Sequence, residues 1–285
     1  MANDGNTDTR GFGGLAVITF ESRRSTEMAS LIGRHGGVPV SAPALRELKI
    51  DDNPSARAFA RALASGEWDV VILLTGVGTR ALLDEIAPEL DRSAFAVALG
   101  RTTTIVRGPK PALVLRELGV AGFITVPEPN TWREVLAALE ARGPLTGLRI
   151  AVQEHGAPSL ELYEALTSRG AQVTPVAVYK WALPEDTAPL RHALHAIAEG
   201  RARIALFTSR SQVEHAFAVA AGEQIASAVK ATLRRGVVAS IGPVCTEALL
   251  AEGLTPDLEP TYSKMGHLVK ESAAKAPSIL EAKDR

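Results

Sequence analysis

Two similar stretches, DVVILLTGVGTRALLDEIA at residues 69–87 and RIALFTSRSQVEHAFAVAA at residues 203–221, decide the predicted fold. Each begins with a continuous apolar run of strand length, passes through a short polar turn that opens with Thr75 or Thr208, and continues with helical periodicity. Apolar strands that alternate with helices are typical of parallel sheets covered on both faces. The sequence therefore predicts an α/β protein in which one strand–turn–helix arrangement occurs twice.

Two other stretches share a second plan. Residues 15–48 and 148–181 each contain a strand, a polar turn, a helix closed by glycine, a further strand that contains Pro-Val and an extended exit. We call these the A segments, and we call the two opening stretches with the elements that follow them the B segments. The chain order is therefore A, B, A, B.

Each B segment continues with a second predicted strand, at residues 94–99 or 237–240. These strands lead into the turns Gly100-Arg101-Thr102-Thr103-Thr104 and Gly242-Pro243-Val244-Cys245-Thr246. A helix follows each turn, and Gly119 and Gly253 stand where a C-cap glycine is expected.

Two divisions into domains fit this order. A tandem division would cut the chain near residues 143–147, whereas a nested division would pair the middle B and A segments and, separately, the first A with the last B. We favour the nested division, because the extended exits of both A segments would then cross between domains as a two-stranded hinge. It predicts two similar parallel-sheet α/β domains, one of them discontinuous. The predicted boundaries are a disordered tail at 1–14, a first domain at 15–44 and 187–275, a second domain at 52–176, linkers at 45–51 and 177–186, and a tail at 276–285.

Composition limits the functional classes. The 285 residues carry a formal net charge of −1 without a basic run, so nucleic-acid binding and membrane-surface binding are not predicted. The single cysteine and the absence of an apolar run of about 18 residues or of a secretory signal favour a cytoplasmic protein. The six histidines show no metal-ligand spacing with cysteine, so no metal site is predicted.

The turns after the strands are the candidate binding residues. In open parallel sheets, ligands bind beyond the carboxyl ends of the strands, where backbone N–H groups at helix N-termini favour anions. Small and hydroxyl-bearing turns on two facing domains would suit a polyanion. The alternative for each turn is that its Ser, Thr or Gly only caps a helix. The candidates are Thr75, Gly76, Val77, Gly100, Arg101, Thr102, Gly156, Thr208, Ser209, Arg210, Ser211, Gly242, Pro243, Val244, Cys245 and Thr246.

Tyr179 is one of three tyrosines and lies in VAVYKW, where the second A segment enters the predicted hinge. A phenol at this point could act as a neutral proton donor to a bound ligand. The alternative is an aromatic side chain that packs the hinge, and the residues alone leave both open.

Several of these stretches together resemble the uroporphyrinogen-III synthase family over about residues 15–270. ALFTSRSQVEHAF resembles the family's F-T-S-x-x-x-V segment, and VVASIGPVCTEALLAEG resembles its I-G-P-x-T-x-x-A-x-x-x-G segment. AVALGRTTTIVRGPKPALVLRELGV resembles the V-G-x-x-T segment of the other domain, and VAVYKW resembles the tyrosine-bearing strand before the linker.

The resemblance implies the nested fold and a reaction without cofactor or metal. It implies a cytoplasmic, monomeric lyase whose small-molecule substrate, hydroxymethylbilane, loses water and closes to uroporphyrinogen III with ring D inverted. It also implies that Tyr179 is the proton donor and that Thr103 is a second catalytic residue. The eight carboxylates of the substrate would bind at the helix N-termini and hydroxyls of the turns.

Two residues depart from the family pattern. Cys245 stands where the family often has threonine, and Gly76 stands where serine is common. Both departures remove a hydroxyl group. They motivate an alternative hypothesis, a non-catalytic module of the same fold that senses a tetrapyrrole or another polycarboxylate.

Overall fold

The structure of the protein is a computed structural model that describes residues 11–50 and 52–285. Within those residues the strands are β1 (Ala16–Thr19), β2 (Val38–Ser41), β3 (Arg46–Lys49), β4 (Val70–Leu73), β5 (Thr103–Val106), β6 (Ile124–Thr125), β7 (Arg149–Gln153), β8 (Gln172–Val176), β9 (Tyr179–Ala182), β10 (Ile204–Phe207) and β11 (Val237–Ser240). The helices of the same residues are α1 (Ser25–Arg34), α2 (Pro54–Ala64), α3 (Gly76–Ile86), α4 (Arg92–Leu99), α5 (Pro109–Glu117), α6 (Trp132–Glu140), α7 (Leu160–Thr167), α8 (Ala188–Ala198), α9 (Arg210–Gly222), α10 (Ala226–Arg234), α11 (Pro243–Ala251) and α12 (Met265–Lys283).

The chain divides into two compact units. The discontinuous unit contains residues 11–46 and Ala182–Arg285, and the continuous unit contains the described residues of Glu47–Trp181. At the two passages of the chain from one unit to the other, β3 and β9 pair as a two-stranded sheet. These findings confirm the predicted fold class, two parallel-sheet α/β domains joined by two strands, with one domain discontinuous.

The described part of the discontinuous unit contains a four-stranded parallel sheet in the order β11-β10-β1-β2. Helices α1 and α12 cover one face, where Met28 and Leu268 are fully buried. Helices α8 to α11 cover the other face, where Leu190, Phe217 and Leu249 are buried. Two buried faces explain why Ile204–Phe207 is apolar at every position.

The described part of the continuous unit contains a five-stranded parallel sheet in the order β6-β5-β4-β7-β8. Helices α6 and α7 cover one face, where Val135 and Leu162 are fully buried. Helices α2 to α5 cover the other, where Phe59, Leu82 and Phe95 are buried. Each unit therefore has its own three-layer core.

The two sheets repeat one plan closely enough to define equivalent positions. Val70 pairs with Ile150 and Thr103, as Ile204 pairs with Val17 and Val237. Helices α3 and α9 then begin after the N-caps Thr75 and Ser209, and α5 and α11 after the N-caps Gly108 and Gly242. Thr75 is therefore equivalent to Ser209, and Gly108 to Gly242.

The strand predicted at residues 94–99 is wrong, because this stretch lies in helix α4. Asp91 caps the helix by accepting a hydrogen bond from the Ala94 N–H at 2.8 Å, and Phe95, Ala98 and Leu99 are buried at helical spacing. The second strand of this B segment is β5, whose Thr-Thr-Ile-Val sequence is β-branched throughout. The apolar run of alternating alanines was mistaken for a strand.

Both predicted tails need correction. Residues 1–10 lie outside the described residues, but Phe12 is fully buried and its N–H donates to the His35 carbonyl at 2.9 Å. At the other end, α12 continues through the predicted tail at 276–285, with Ala276 fully buried. Lys283 and Asp284 anchor the helix end by ion pairs of 2.5 and 2.6 Å to Asp257 and Arg203.

Candidate functional site

The carboxyl edge of the sheet in the continuous unit brings together a phenol, a hydroxyl and a guanidinium. The Tyr179 hydroxyl lies 3.4 Å from Thr75 Oγ1, and either oxygen can be the donor. Arg107 follows β5 directly and donates from Nε to the Leu74 carbonyl at 3.2 Å. Parallel strands that end at one edge place Leu74, Thr75 and Arg107 there, and the exit of β8 supplies Tyr179.

Thr75 has two roles at this edge. Its Oγ1 accepts a hydrogen bond from the Gly78 N–H at 3.0 Å, which caps helix α3. Its own N–H donates to Gln153 Oε1 at 3.3 Å. Because Thr75 Oγ1 already accepts the capping hydrogen bond, its own hydroxyl proton can be donated to the Tyr179 oxygen. The phenol proton of Tyr179 can then be donated to another acceptor.

Tyr179 is only 4% exposed and packs with the core of the continuous unit. Its ring meets that of Trp181 edge-on, with centroids 5.4 Å apart. Trp181 in turn donates from Nε1 to the His155 carbonyl at 2.6 Å. The two interpretations of Tyr179, a proton donor and a packing aromatic ring, are therefore compatible. The ring packs in the core while the hydroxyl lies at the carboxyl edge of the sheet.

Two glycines of this edge permit close backbone approach. A Cβ at Gly76 would lie 2.8 Å from the Lys110 carbonyl oxygen, so a serine would not fit without a shift of helix α3 or α5. Gly156 has a φ of +90°, and a Cβ there would lie 2.7 Å from Cε2 of Trp181. The close contact with Lys110 explains Gly76. Because Thr75 is equivalent to Ser209, the serine position of the family pattern falls on Thr75, and the departure predicted at Gly76 is wrong. Val77, next to it, is exposed.

The predicted residues Gly100, Arg101, Thr102 and Thr103 lie at the opposite edge of this sheet. Because β4 and β5 are parallel and Thr103 pairs with Val70, Thr103 lies beside the first residue of β4, whereas Thr75 follows the last. The Thr102 hydroxyl donates to the Leu99 carbonyl at 3.0 Å, at the end of helix α4. The structure does not bring these residues together with Tyr179, and the cause is the wrong strand assignment at 94–99.

The carboxyl edge of the discontinuous unit carries hydroxyls that donate to the protein's own carboxylates. The Thr208 hydroxyl donates to Glu21 Oε2 at 2.6 Å, and Arg210 Nη2 lies 3.3 Å from Glu247 Oε2. The Thr246 hydroxyl lies 2.6 Å from Glu259 Oε2 and 2.9 Å from Ser240 Oγ. This edge therefore presents acidic side chains around the first turns of its helices.

The other predicted residues of this unit lie at the starts of α9 and α11. Ser209 accepts from the Gln212 N–H at 3.3 Å as the cap of α9, and Ser211 is buried behind it. Gly242 precedes α11, whose first residues are Pro243 and Val244. Cys245 is buried, and burial raises the pKa of its thiol to about 11. A thiol of that pKa is protonated near neutral pH and inert as a nucleophile.

Sequence reasoning missed Arg107 and Gln153. Arg107 precedes Gly108-Pro109 as Ile241 precedes Gly242-Pro243, so the repeated Gly-Pro could have located it. Gln153 is the last residue of strand β7, and a polar residue at the end of a strand is common and gives no distinct signal.

No group of three His, Cys, Asp or Glu side chains in residues 11–50 and 52–285 could hold a metal ion. No helix of the same residues is long and apolar enough to cross a bilayer.

Comparisons with known proteins identify the family. The family model described as "Uroporphyrinogen-III synthase HemD" matches residues 26–270. The chain belongs to the uroporphyrinogen-III synthase family. A crystal structure of mutant uroporphyrinogen III synthase from the extremely thermophilic bacterium Thermus thermophilus is 26% identical, with a TM-score of 0.72 over 94% of this chain and 100% of that chain.

Two curated proteins are similar along most of their length. "Putative uroporphyrinogen-III synthase" from Methanothermobacter thermautotrophicus is 30% identical over 242 residues, which are 84% of this chain and 90% of that protein. "Uncharacterized protein YjjA" from Bacillus subtilis is 29% identical over 270 residues, which are 93% of this chain and 97% of that protein.

The structure also corrects the position of one family motif. Because Gly108 is equivalent to Gly242, the V-G-x-x-T segment of the uroporphyrinogen-III synthase family falls on residues 107–111 and not on the Gly100 turn. The threonine position of that motif is then occupied by Pro111, as its counterpart in the other unit is occupied by Cys245. Neither motif position carries a hydroxyl in this chain.

Proposed function

We propose that this protein is an active uroporphyrinogen-III synthase, a lyase that converts hydroxymethylbilane to uroporphyrinogen III in tetrapyrrole biosynthesis. The observation that carries the proposal is the Tyr179 hydroxyl, which reaches the carboxyl edge of the sheet 3.4 Å from Thr75 Oγ1. Membership of the family suggests which reaction is catalysed, and the contact between Tyr179 and Thr75 offers a proton donor for it. The proposal includes a cytoplasmic monomer without a resident cofactor or metal.

The first step that we propose is the loss of the terminal hydroxyl group of the substrate. The phenol O–H bond of Tyr179 breaks as a new O–H bond forms on the departing oxygen, which leaves as water with the C–O electrons. The adjacent pyrrole loses its N–H proton and becomes an azafulvene, and that proton can restore the phenol. A hydrogen bond from Thr75 would orient the phenol and stabilise the phenolate.

The second step that we propose is a steered ring closure. The azafulvene is attacked by the substituted carbon of ring D, and the spiro intermediate opens and recloses with ring D inverted. The enzyme's contribution here is orientation and exclusion of water. The substrate is a polycarboxylate, so we propose that N–H groups at the start of helix α3 hold part of it, together with the Lys110 N–H of helix α5, whose Pro109 and Pro111 have none.

The experiment is an isomer assay. Purified protein receives hydroxymethylbilane that is generated in situ, and the oxidised products are separated by chromatography. We expect mainly the type III isomer. Type I isomer alone, at the rate of the buffer control, would contradict the proposal.

The variant Tyr179→Phe tests the donor. Because general acid catalysis contributes about 10²-fold or more, we expect turnover to fall about 100-fold. The variant should keep the melting temperature of the wild type, since the ring still packs on Trp181. Tyr262→Phe is the control, because Tyr262 is exposed in the discontinuous unit. An unchanged rate in Tyr179→Phe would remove the phenol from the mechanism.

A second candidate function is the non-catalytic sensor of a tetrapyrrole or other polycarboxylate. The observation that favours it is the absence of a hydroxyl at both motif positions, Pro111 and Cys245. It predicts saturable binding of uroporphyrinogen by calorimetry together with type I product only. Isomer-selective turnover would exclude it.

A further inference from the structure

Arg107 is held by the backbone at the end of strand β4. Its own N–H donates to the Leu73 carbonyl at 3.0 Å, and its Nε donates to the Leu74 carbonyl at 3.2 Å. Leu74 immediately precedes Thr75, whose hydroxyl lies within reach of Tyr179. The two hydrogen bonds therefore fix the guanidinium beside the Thr75–Tyr179 pair.

The charge of Arg107 is not neutralised by any residue that the structure describes. In the part of the chain that the structure describes, no carboxylate forms an ion pair with Arg107, and its terminal nitrogens make no hydrogen bond to another residue. Burial lowers the pKa of the guanidinium, whereas its electrostatic interaction with the Tyr179 phenol raises that pKa. The guanidinium is thus a partly desolvated cation within electrostatic range of the phenol, and their interaction is screened less than in water.

The fold itself does not require an arginine at this position. The equivalent residue of the discontinuous unit is Ile241, which follows β11 as Arg107 follows β5. The Ile241 N–H donates to the Phe207 carbonyl at 3.0 Å, which matches the bond from Arg107 to Leu73. An apolar side chain therefore satisfies the same backbone, and the positive charge needs another explanation.

We propose that Arg107 is a positioning residue whose guanidinium stabilises the negative charge that develops on the Tyr179 oxygen as the phenol gives its proton to the departing hydroxyl. The inference rests on the proposed function. Arg107 gains and loses no proton in this step. The phenolate stays paired with the guanidinium until the proton released from the pyrrole nitrogen restores the phenol.

A double-mutant cycle tests this role. Arg107→Met removes the charge and keeps an unbranched side chain, and we expect kcat for type III product to fall about tenfold with KM nearly unchanged. Arg107→Lys keeps the charge and should recover most of that loss. In the Tyr179→Phe background, Arg107→Met should have almost no further effect, because the guanidinium acts through the phenol. The exposed Arg142 of the same unit provides the control Arg142→Met.

A second measurement does not depend on turnover. The ultraviolet absorbance of phenolate is followed in a pH titration, and the Tyr179→Phe protein is subtracted to isolate the signal of Tyr179. Loss of the cation should raise the ionisation midpoint of Tyr179 by about one pH unit in Arg107→Met and not in Arg142→Met. Circular dichroism shows whether each protein is still folded over the range.

The outcomes separate this inference from the proposed function. Absence of type III product from the wild type would refute the function, while the titration would still test the pairing of Arg107 with Tyr179. Two results would overturn the inference: an ionisation midpoint unchanged by Arg107→Met, or a loss in the cycle that is fully additive and falls on KM. The second result would indicate that Arg107 binds a substrate carboxylate instead.

Discussion

The carboxyl edges of the two sheets share a backbone plan but differ in the hydrogen-bond partners of their polar side chains. In the continuous unit, Thr75 and Tyr179 lie against one another beside an arginine that has no carboxylate partner in the described residues. In the discontinuous unit, Thr208 and Thr246 donate to Glu21 and Glu259. The repeated fold therefore supplies the position of each edge, and the side chains decide which groups lie there.

The equivalent positions make this difference specific. The counterpart of Thr75 is Ser209, the counterpart of Arg107 is Ile241, and Tyr179 follows strand β8 as Leu45 follows strand β2. An apolar pair thus replaces the phenol and the guanidinium. The difference teaches that an internal repeat need not preserve chemistry, and the following variants test it at matched positions.

The largest effect is expected at Gly156, whose counterpart is the exposed Arg23. Gly156→Ala combines a positive φ with a Cβ 2.7 Å from the Trp181 ring, so we expect it to lower the free energy of unfolding by about 3 kcal/mol. Gly147→Ala is the matched control, since Gly147 also has a positive φ but no atom within 4 Å of a Cβ. It should cost about 1 kcal/mol. Urea unfolding measures the free energy of unfolding of both variants. Equal losses would show that the Trp181 ring can move away from the new methyl group at no cost in stability.

The next effect concerns Cys245, whose counterpart Pro111 does not titrate. Because burial raises the pKa of the folded thiol from its ordinary value of 9.0 to about 11, the folded state binds the thiol proton more tightly than the unfolded state. The resulting stability is present below pH 9 and is lost as the pH rises through about 11, by up to about 2 kcal/mol.

This pH dependence is measured by urea unfolding of the wild type and of Cys245→Ala between pH 8 and 11. The difference between the two proteins should shrink as the pH rises, since other alkaline titrations are common to both. A thiol reagent should also react with the wild type only after unfolding. A constant difference, or rapid labelling of the folded protein, would contradict the burial of this thiol.

The smallest effect is expected from the two helix caps. Thr75→Ala and Ser209→Ala each remove the acceptor of one N-terminal N–H, so each should lower the free energy of unfolding by about 1 kcal/mol. We expect only Thr75→Ala to lower type III turnover clearly, by about tenfold, because Thr75 also contacts Tyr179. Equal losses of turnover in both variants would contradict the expectation that only the edge with Thr75 takes part in turnover. Thr75→Ser should restore both properties.

Much of the fold could be predicted from local patterns. The apolar runs at β4 and β10 and the glycine-closed helices of the A segments are properties of short stretches, and the structure has strands and helices there. Helix α4 could not be distinguished from a strand by its apolar run, because its periodicity extends over too few residues. That error placed Thr103 at the wrong edge. The prediction that Tyr179 lies near a binding edge did not depend on it, because VAVYKW lies outside the misassigned stretch.

The sequence by itself determined the α/β class, the internal repeat and the identity of the side chains at each turn, since these depend on spacing along the chain. Only the tertiary structure decided which turns share an edge and which hydroxyls are already used. Thr75 meets Tyr179, 104 positions later in the chain, because parallel strands β4 and β7 end at one edge and β8 follows β7 into it. Thr208 meets Glu21 across 187 positions for the same reason. Hydrogen bonds between residues so far apart depend on strand order and register, and no local pattern contains them.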